Sequence, residues 1–144
     1  MKRILGIIAL AIAVGLAFTG CNNRPPFEKL AASVDSLNTY YTDAPMLHND
    51  STRVTYDEIT NTVEFHMYAQ GYIDKAQLEA VSDRMADSFT DEMVRVNRFN
   101  FGKELLAAKA NVLLDFKGSA GGEYQLLIEN KAFQAQEDAY NVGK

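Results

Sequence analysis

Asn111-Val-Leu-Leu-Asp-Phe-Lys-Gly-Ser-Ala-Gly-Gly-Glu-Tyr-Gln-Leu-Leu-Ile128 is the stretch that decides the fold. Val112, Leu114 and Phe116 alternate with Leu113, Asp115 and Lys117. Tyr124, Leu126 and Ile128 repeat the pattern after five turn-forming residues, Gly118 to Gly122. A period of two means a strand with one buried face and one wetter face. Glycines that tolerate positive φ between two such runs mean a hairpin. The spacing predicts strands over 111–117 and 123–130.

The same signature occurs once more upstream. Thr52–Asp57 carries Val54 and Tyr56 on one face, and Glu58–Asn61 is a turn. In Thr62–Gln70, Val63, Phe65, Met67 and Ala69 alternate with Glu64, His66, Tyr68 and Gln70. Between and before the hairpins the apolar period changes to three and four, the mark of an amphipathic helix. Phe27, Leu30, Ala31, Val34, Leu37 and Tyr41 define a helix over 27–41, followed by a loop over 42–51. Leu78, Val81, Met85, Phe89 and Met93 define one over 74–96, with Asp74 and Gln77 as a capping box. A shorter helix over 101–109 buries Leu105 and Leu106, with Asn100 as its cap. Residues 134–144 are polar and read as a frayed tail.

The resulting expectation is an α+β domain of order helix, hairpin, helices, hairpin. Its two layers are a four-stranded, mainly antiparallel sheet and the helices that cover its apolar face. The domain is expected over 27–133, preceded by a tether over 21–26 that Pro25 and Pro26 stiffen.

The first 21 residues address the protein. Lys2 and Arg3 precede an apolar run from Ile4 to Phe18, and Thr19-Gly20-Cys21 follows. As a helix that run reaches about 22 Å, short of the ~30 Å hydrocarbon core, which suits a signal better than a membrane span. Small residues just before Cys21 are what a signal peptidase needs to admit an extended backbone. Residues 1–20 are therefore expected to be a lipoprotein signal peptide, with Cys21 the lipidation site and membrane attachment through its acyl chains. Asn22 follows in place of the aspartate used for inner-membrane retention, and residues 22–26 contain no acidic run. Both point to the outer membrane, facing the periplasm, with the cell surface as the alternative.

Composition limits the partners. The full chain has 144 residues and a formal charge of −5, and loss of Lys2 and Arg3 makes it −7. This balance argues against nucleic acid, which asks for a basic stripe. A single cysteine allows no internal disulfide.

This layout is similar to that of small uncharacterised bacterial lipoproteins. The resemblance is carried by Phe18-Thr19-Gly20-Cys21, Pro25-Pro26, Val112-Leu113-Leu114-Asp115-Phe116, the glycine turn and Tyr124-Gln125-Leu126-Leu127-Ile128. It implies a lipid-anchored domain without an assigned activity and transfers no catalytic residue. Phe18 stands where such signals usually carry leucine.

Catalytic motifs are missing from the sequence: no zinc-binding His-Glu-x-x-His, no nucleophile elbow, no phosphate loop. The sequence suggests no metal and no cofactor. Asp83, Asp87, Asp91 and Glu92 read as a solvated helix face rather than a calcium site. Tyr40 and Tyr41 read as closing the core at the end of the first helix. Two places remain as candidate binding sites: the polar strand face with Glu64, His66 and Tyr68, and the loop around His48. A module binding an envelope protein or a cell-wall component is the leading expectation. The alternative is an envelope hydrolase built around His66 with Glu64 or Asp57. The ordinary reading of His66 is a strand-surface residue paired across its hairpin.

Overall fold

Both hairpins form where the alternation places them, but they join through a parallel seam. The computed structural model describes residues 24–43, 52–96 and 101–144. Strands β1 (Thr52–Asp57), β2 (Thr62–Ala69), β3 (Asn111–Gly118) and β4 (Glu123–Ile128) lie in the order β1-β2-β3-β4. β1–β2 and β3–β4 are antiparallel, and β2–β3 is parallel. The sheet is thus mixed but mostly antiparallel, in an α+β fold.

A parallel pair needs a crossover, and the helices between β2 and β3 supply it. These are α2 (Lys75–Ala80), α3 (Ser82–Asp91), a π-helical turn (Glu92–Val96) and α4 (Phe101–Ala107). Helix α1 (Pro26–Asp43) precedes β1 and α5 (Asn130–Val142) follows β4. Among the described residues, no helix is long and apolar enough to cross a membrane.

The helix expected over 74–96 is divided. Asp74 caps α2 by accepting from the Ala76 and Gln77 backbone N–H groups, at 3.0 and 3.3 Å. Val81 then leaves helical geometry, with φ −115° and ψ 7°. Helix α2 buries no residue fully. Helix α3 turns inward to bury Thr90 and to pack Ala86 and Phe89 on the core.

The expected polar tail is also replaced. Most of 134–144 belongs to α5, which starts at Asn130 and buries Phe133 completely. One aromatic side chain of the first helical turn holds the segment down. Phe133 meets Phe89 edge-on at 6.4 Å, and Phe89 meets Phe65 at 5.2 Å. Edge-to-face pairs add to the area term of burial.

The helices pack on one face of the sheet. Leu30 and Val34 of α1, Val94, Phe101, Leu105 and Phe133 meet Val54, Tyr56, Val63, Phe65, Val112, Leu114 and Ile128. Asn38 of α1 binds the outer edge of β1, accepting from the Val54 N–H at 2.7 Å and donating to its carbonyl. That satisfies edge groups of the kind that otherwise recruit another strand.

Both ends of the parallel seam are clasped. At one end Asn61, at φ +50°, donates to the Ala108 and Lys109 carbonyls, while its own carbonyl accepts from Asn111. At the other, Ser119 N–H donates to the Ala69 carbonyl and Ala120 N–H to that of Gly71. Ile73 N–H donates to the Gly121 carbonyl. The backbones approach so closely there that a Cβ on Gly122 would lie 2.1 Å from the Ile73 oxygen.

Candidate functional site: a polar row on the open face of the sheet

Strand alternation sends Glu64, His66 and Tyr68 to the face away from the helices, as expected. The registers then assemble a row that neither hairpin contains alone. Arg53 of β1 lies opposite His66, His66 opposite Asp115 of β3, and Asp115 opposite Gln125 of β4.

His66 is the hub. Its Nδ1 lies 3.0 Å from Asp115 Oδ2. Its Nε2 lies 3.0 Å from Thr55 Oγ1 and 3.2 Å from Glu64 Oε2. Gln125 donates its Nε2–H to Asp115 Oδ1 at 3.1 Å, and Lys117 Nζ stands 3.9 Å from Oδ2. Asp115 is only 4% exposed although it sits on the open face. Burial alone would raise its carboxyl; the hydrogen bonds from His66 and Gln125, with the charges of Lys117 and His66, outweigh burial and hold it below the usual carboxylate value. The ionised Asp115 can only accept, so the Nδ1 position of His66 carries the proton and donates.

Two chemical roles fit this geometry. Hydroxyl, imidazole and carboxylate stand in the order Thr55, His66, Asp115, each at hydrogen-bond distance from the next, which is the order of a nucleophile, its base and the group that orients the base. The same atoms also form a paired polar surface. Tyr68 is 49% exposed and Leu127 of β4 is 54% exposed on the same face.

The other expected positions are distributed as follows. Cys21 and His48 lie outside the described residues, as do the side chains of Tyr40 and Tyr41. Asp57 is not a partner of His66. It sits at the opposite end of the sheet from Tyr68, accepting from Ile59 N–H at 2.9 Å and from the Thr60 hydroxyl at 2.9 Å to close the β1–β2 turn. Asp91 pairs with Arg95 at 2.9 Å and accepts from Gln136. No group of three or more His, Cys, Asp or Glu among the described residues is placed to hold a metal ion.

Thr55, Asp115 and Gln125 are the site residues that sequence reasoning missed. A signal for Asp115 was present, since it is the one carboxylate in Val112-Leu113-Leu114-Asp115-Phe116. Its partner was hidden because the β2–β3 register joins residues 49 apart.

A recess of about 390 Å³ lies elsewhere, where the chain enters the domain, lined by Pro26, Phe27, Tyr56, Glu58, Asn61 and Ala107–Lys109. Tyr56 donates its hydroxyl to Asn61 Oδ1 at 2.8 Å. Burial, then Glu58 and Asp57, push its phenol up to about 12. Glu28, at the first turn of α1, is buried with Oε2 unpartnered, at the helix end whose dipole favours a carboxylate.

No family model matches the chain, and no curated protein or solved structure is significantly similar to it.

Proposed function

We propose that this chain is a lipid-anchored bacterial envelope protein, attached through Cys21 to the outer membrane, whose open sheet face binds another envelope protein. The address rests on the layout of Met1–Cys21. The binding role rests on one observation: the helices occupy one face of the sheet, and the other presents a self-paired polar row flanked by exposed Tyr68 and Leu127. Both nitrogens of His66 and both oxygens of Asp115 already have partners. That favours a protein partner, which gains from aromatic and aliphatic contact, over a cell-wall glycan, which needs hydrogen-bonding groups to spare.

The test is a photo-crosslinking residue placed at Tyr68, and separately at Leu127, in the full chain in intact cells. A probe at Ile59, in the β1–β2 turn, is the comparison. A discrete protein adduct from 68 and 127 but not from 59 supports the reading. Adducts that sediment with the cell wall reassign the ligand, and no adduct from either position overturns it. Cys21→Ala should abolish lipid labelling and the lipoprotein-specific cut; retained labelling overturns the anchor separately.

The envelope hydrolase is favoured by the Thr55–His66–Asp115 order, with Asp115 in the place expected for Asp57. On that reading Thr55→Val abolishes turnover of ester or amide substrates while the fold stays intact.

A further inference from the structure

A neutral His66 ring cannot satisfy all its neighbours. With Nδ1–H given to Asp115, a neutral ring leaves a bare lone pair on Nε2. That lone pair can accept from the Thr55 hydroxyl at 3.0 Å. It cannot accept from Glu64, whose ionised Oε2 at 3.2 Å has no proton to give. Add a proton to Nε2, and the ring donates to a carboxylate on each side. Glu64 Oε2, 3.2 Å from Nε2, is placed to accept from a proton there.

We propose that the proton on His66 Nε2 is a latch for Glu64. With the proton, Glu64 is held against His66 Nε2. Without it, Glu64 swings to solvent and the Thr55 hydroxyl turns to donate to Nε2. The groups facing the ring are Arg53 from β1, Glu64 and Tyr68 from β2, and Asp115 and Lys117 from β3, with neutral Gln125 behind Asp115 on β4. Among these, Glu64 alone accepts at Nε2 in one state and is repelled from it in the other. Asp115 stays bonded in both, since Nδ1–H is present in both, and its depressed carboxyl keeps it ionised throughout.

Release changes what the face offers. The formal charge of the row falls by one, and a free carboxylate appears opposite Thr55 on the open face. Imidazole is the side chain that ordinarily gains and loses its proton between about pH 5 and 8, which sets the range over which the latch is tested. The latch itself does not depend on what the face binds; only the use made of it rests on the binding reading.

The experiment is a pH titration of the full chain in detergent micelles, from about pH 5 to 8, with ¹⁵N in the histidine rings and ¹³C in the glutamate carboxyls. Signals are assigned with His66→Gln and Glu64→Gln. The expected result has three parts. Nε2 of His66 passes from pyrrole-like to pyridine-like shift, while Nδ1 stays pyrrole-like. The Glu64 carboxyl carbon moves in the same step. In His66→Gln that Glu64 step is lost. A Glu64 carbon that ignores the ring's step overturns the latch. So does loss of the proton from Nδ1 instead of Nε2, or a ring that keeps one protonation state across the range.

Discussion

Replacing Gly122 with alanine tests whether the two chain connections at one end of the seam are laced as a unit. Four glycines there separate conformational from steric cost. Gly71 has φ +94° and nothing within 4 Å of the point where a Cβ would stand, so Gly71→Ala meets only the backbone penalty. Placing an L-residue at positive φ costs about 1–2 kcal/mol, partly offset by about 0.4–1 from the stiffer unfolded chain. About 1 kcal/mol of destabilisation is expected. Gly121, at φ +108° with its Cβ position 3.8 Å from the Tyr72 ring, should behave alike. Gly122 has a similar φ, +83°, but its Cβ position lies 2.1 Å from the Ile73 oxygen. Ordinary contact needs more than 1 Å of backbone movement. That movement takes with it the Ile73-to-Gly121 and Gly118-to-Gly122 hydrogen bonds, each 3.0 Å long. At about 1 kcal/mol per net hydrogen bond, Gly122→Ala should cost about 3 kcal/mol. Gly118→Ala, whose Cβ position lies 2.5 Å from two carbonyl oxygens, should also exceed Gly71→Ala. Urea unfolding followed by circular dichroism measures all four. If Gly122→Ala falls within about 0.5 kcal/mol of Gly71→Ala, the steric argument is wrong, because the conformational costs of the two are alike.

Asp115 makes stability depend on acid. Its folded carboxyl titrates below its ordinary value of 3.8, so its contribution is full above that value and is lost as the pH falls through the lower folded one. Asp115→Asn should flatten that limb of a plot of urea midpoint against pH; parallel curves for variant and parent would refute it. Tyr56 acts at the alkaline end. Its neutral phenol is favoured in the fold, up to about 12 from 10.0, so stability should fall as the pH rises between those values, and Tyr56→Phe should lack that slope. Phe133→Ala should cost about 3–5 kcal/mol by cavity formation; less than about 1 kcal/mol would detach α5 from the core.

What could be read in the sequence follows how far each signal reaches along the chain. Strand faces were legible because Val63, Phe65, Val112 and Leu114 state their side through the immediate neighbours, and all four are buried as alternation requires. Helix 74–96 was legible in extent but not in its division at Val81, because the apolar spacing of Leu78, Val81 and Met85 runs on through the break. The tail was misread because Gln134 onward is polar, whereas the residue that holds α5 is Phe133, at the border of the window. His66 and Glu64 stood out as a pair on one strand, but Thr55 and Asp115 became site residues only through registers. The parallel direction of β2 and β3 has no local signature. It is fixed by clasps at Asn61 and Ser119 whose partners are 47 to 50 residues away.

The polar row also carries information that the covered face lacks. On that face Val63, Phe65 and Met67 meet Val112, Leu114 and Phe116. Slide β3 by two residues and apolar side chains still meet apolar side chains, so burial alone discriminates weakly between these registers. On the open face the same slide places Asp115 opposite Glu64 or opposite Tyr68. The first sets two carboxylates side by side in a partly buried row; the second strips Asp115 of the His66 hydrogen bond while leaving it covered. Asp115 would keep Gln125 and Lys117 but lose its imidazole donor, and removing a partner from a buried charge costs more than exchanging one apolar contact for another. The His66–Asp115 pair therefore selects the register in which it forms. The same ring serves both ends: protonation at Nε2 rearranges Glu64 while the Nδ1 bond to Asp115 keeps the register unchanged.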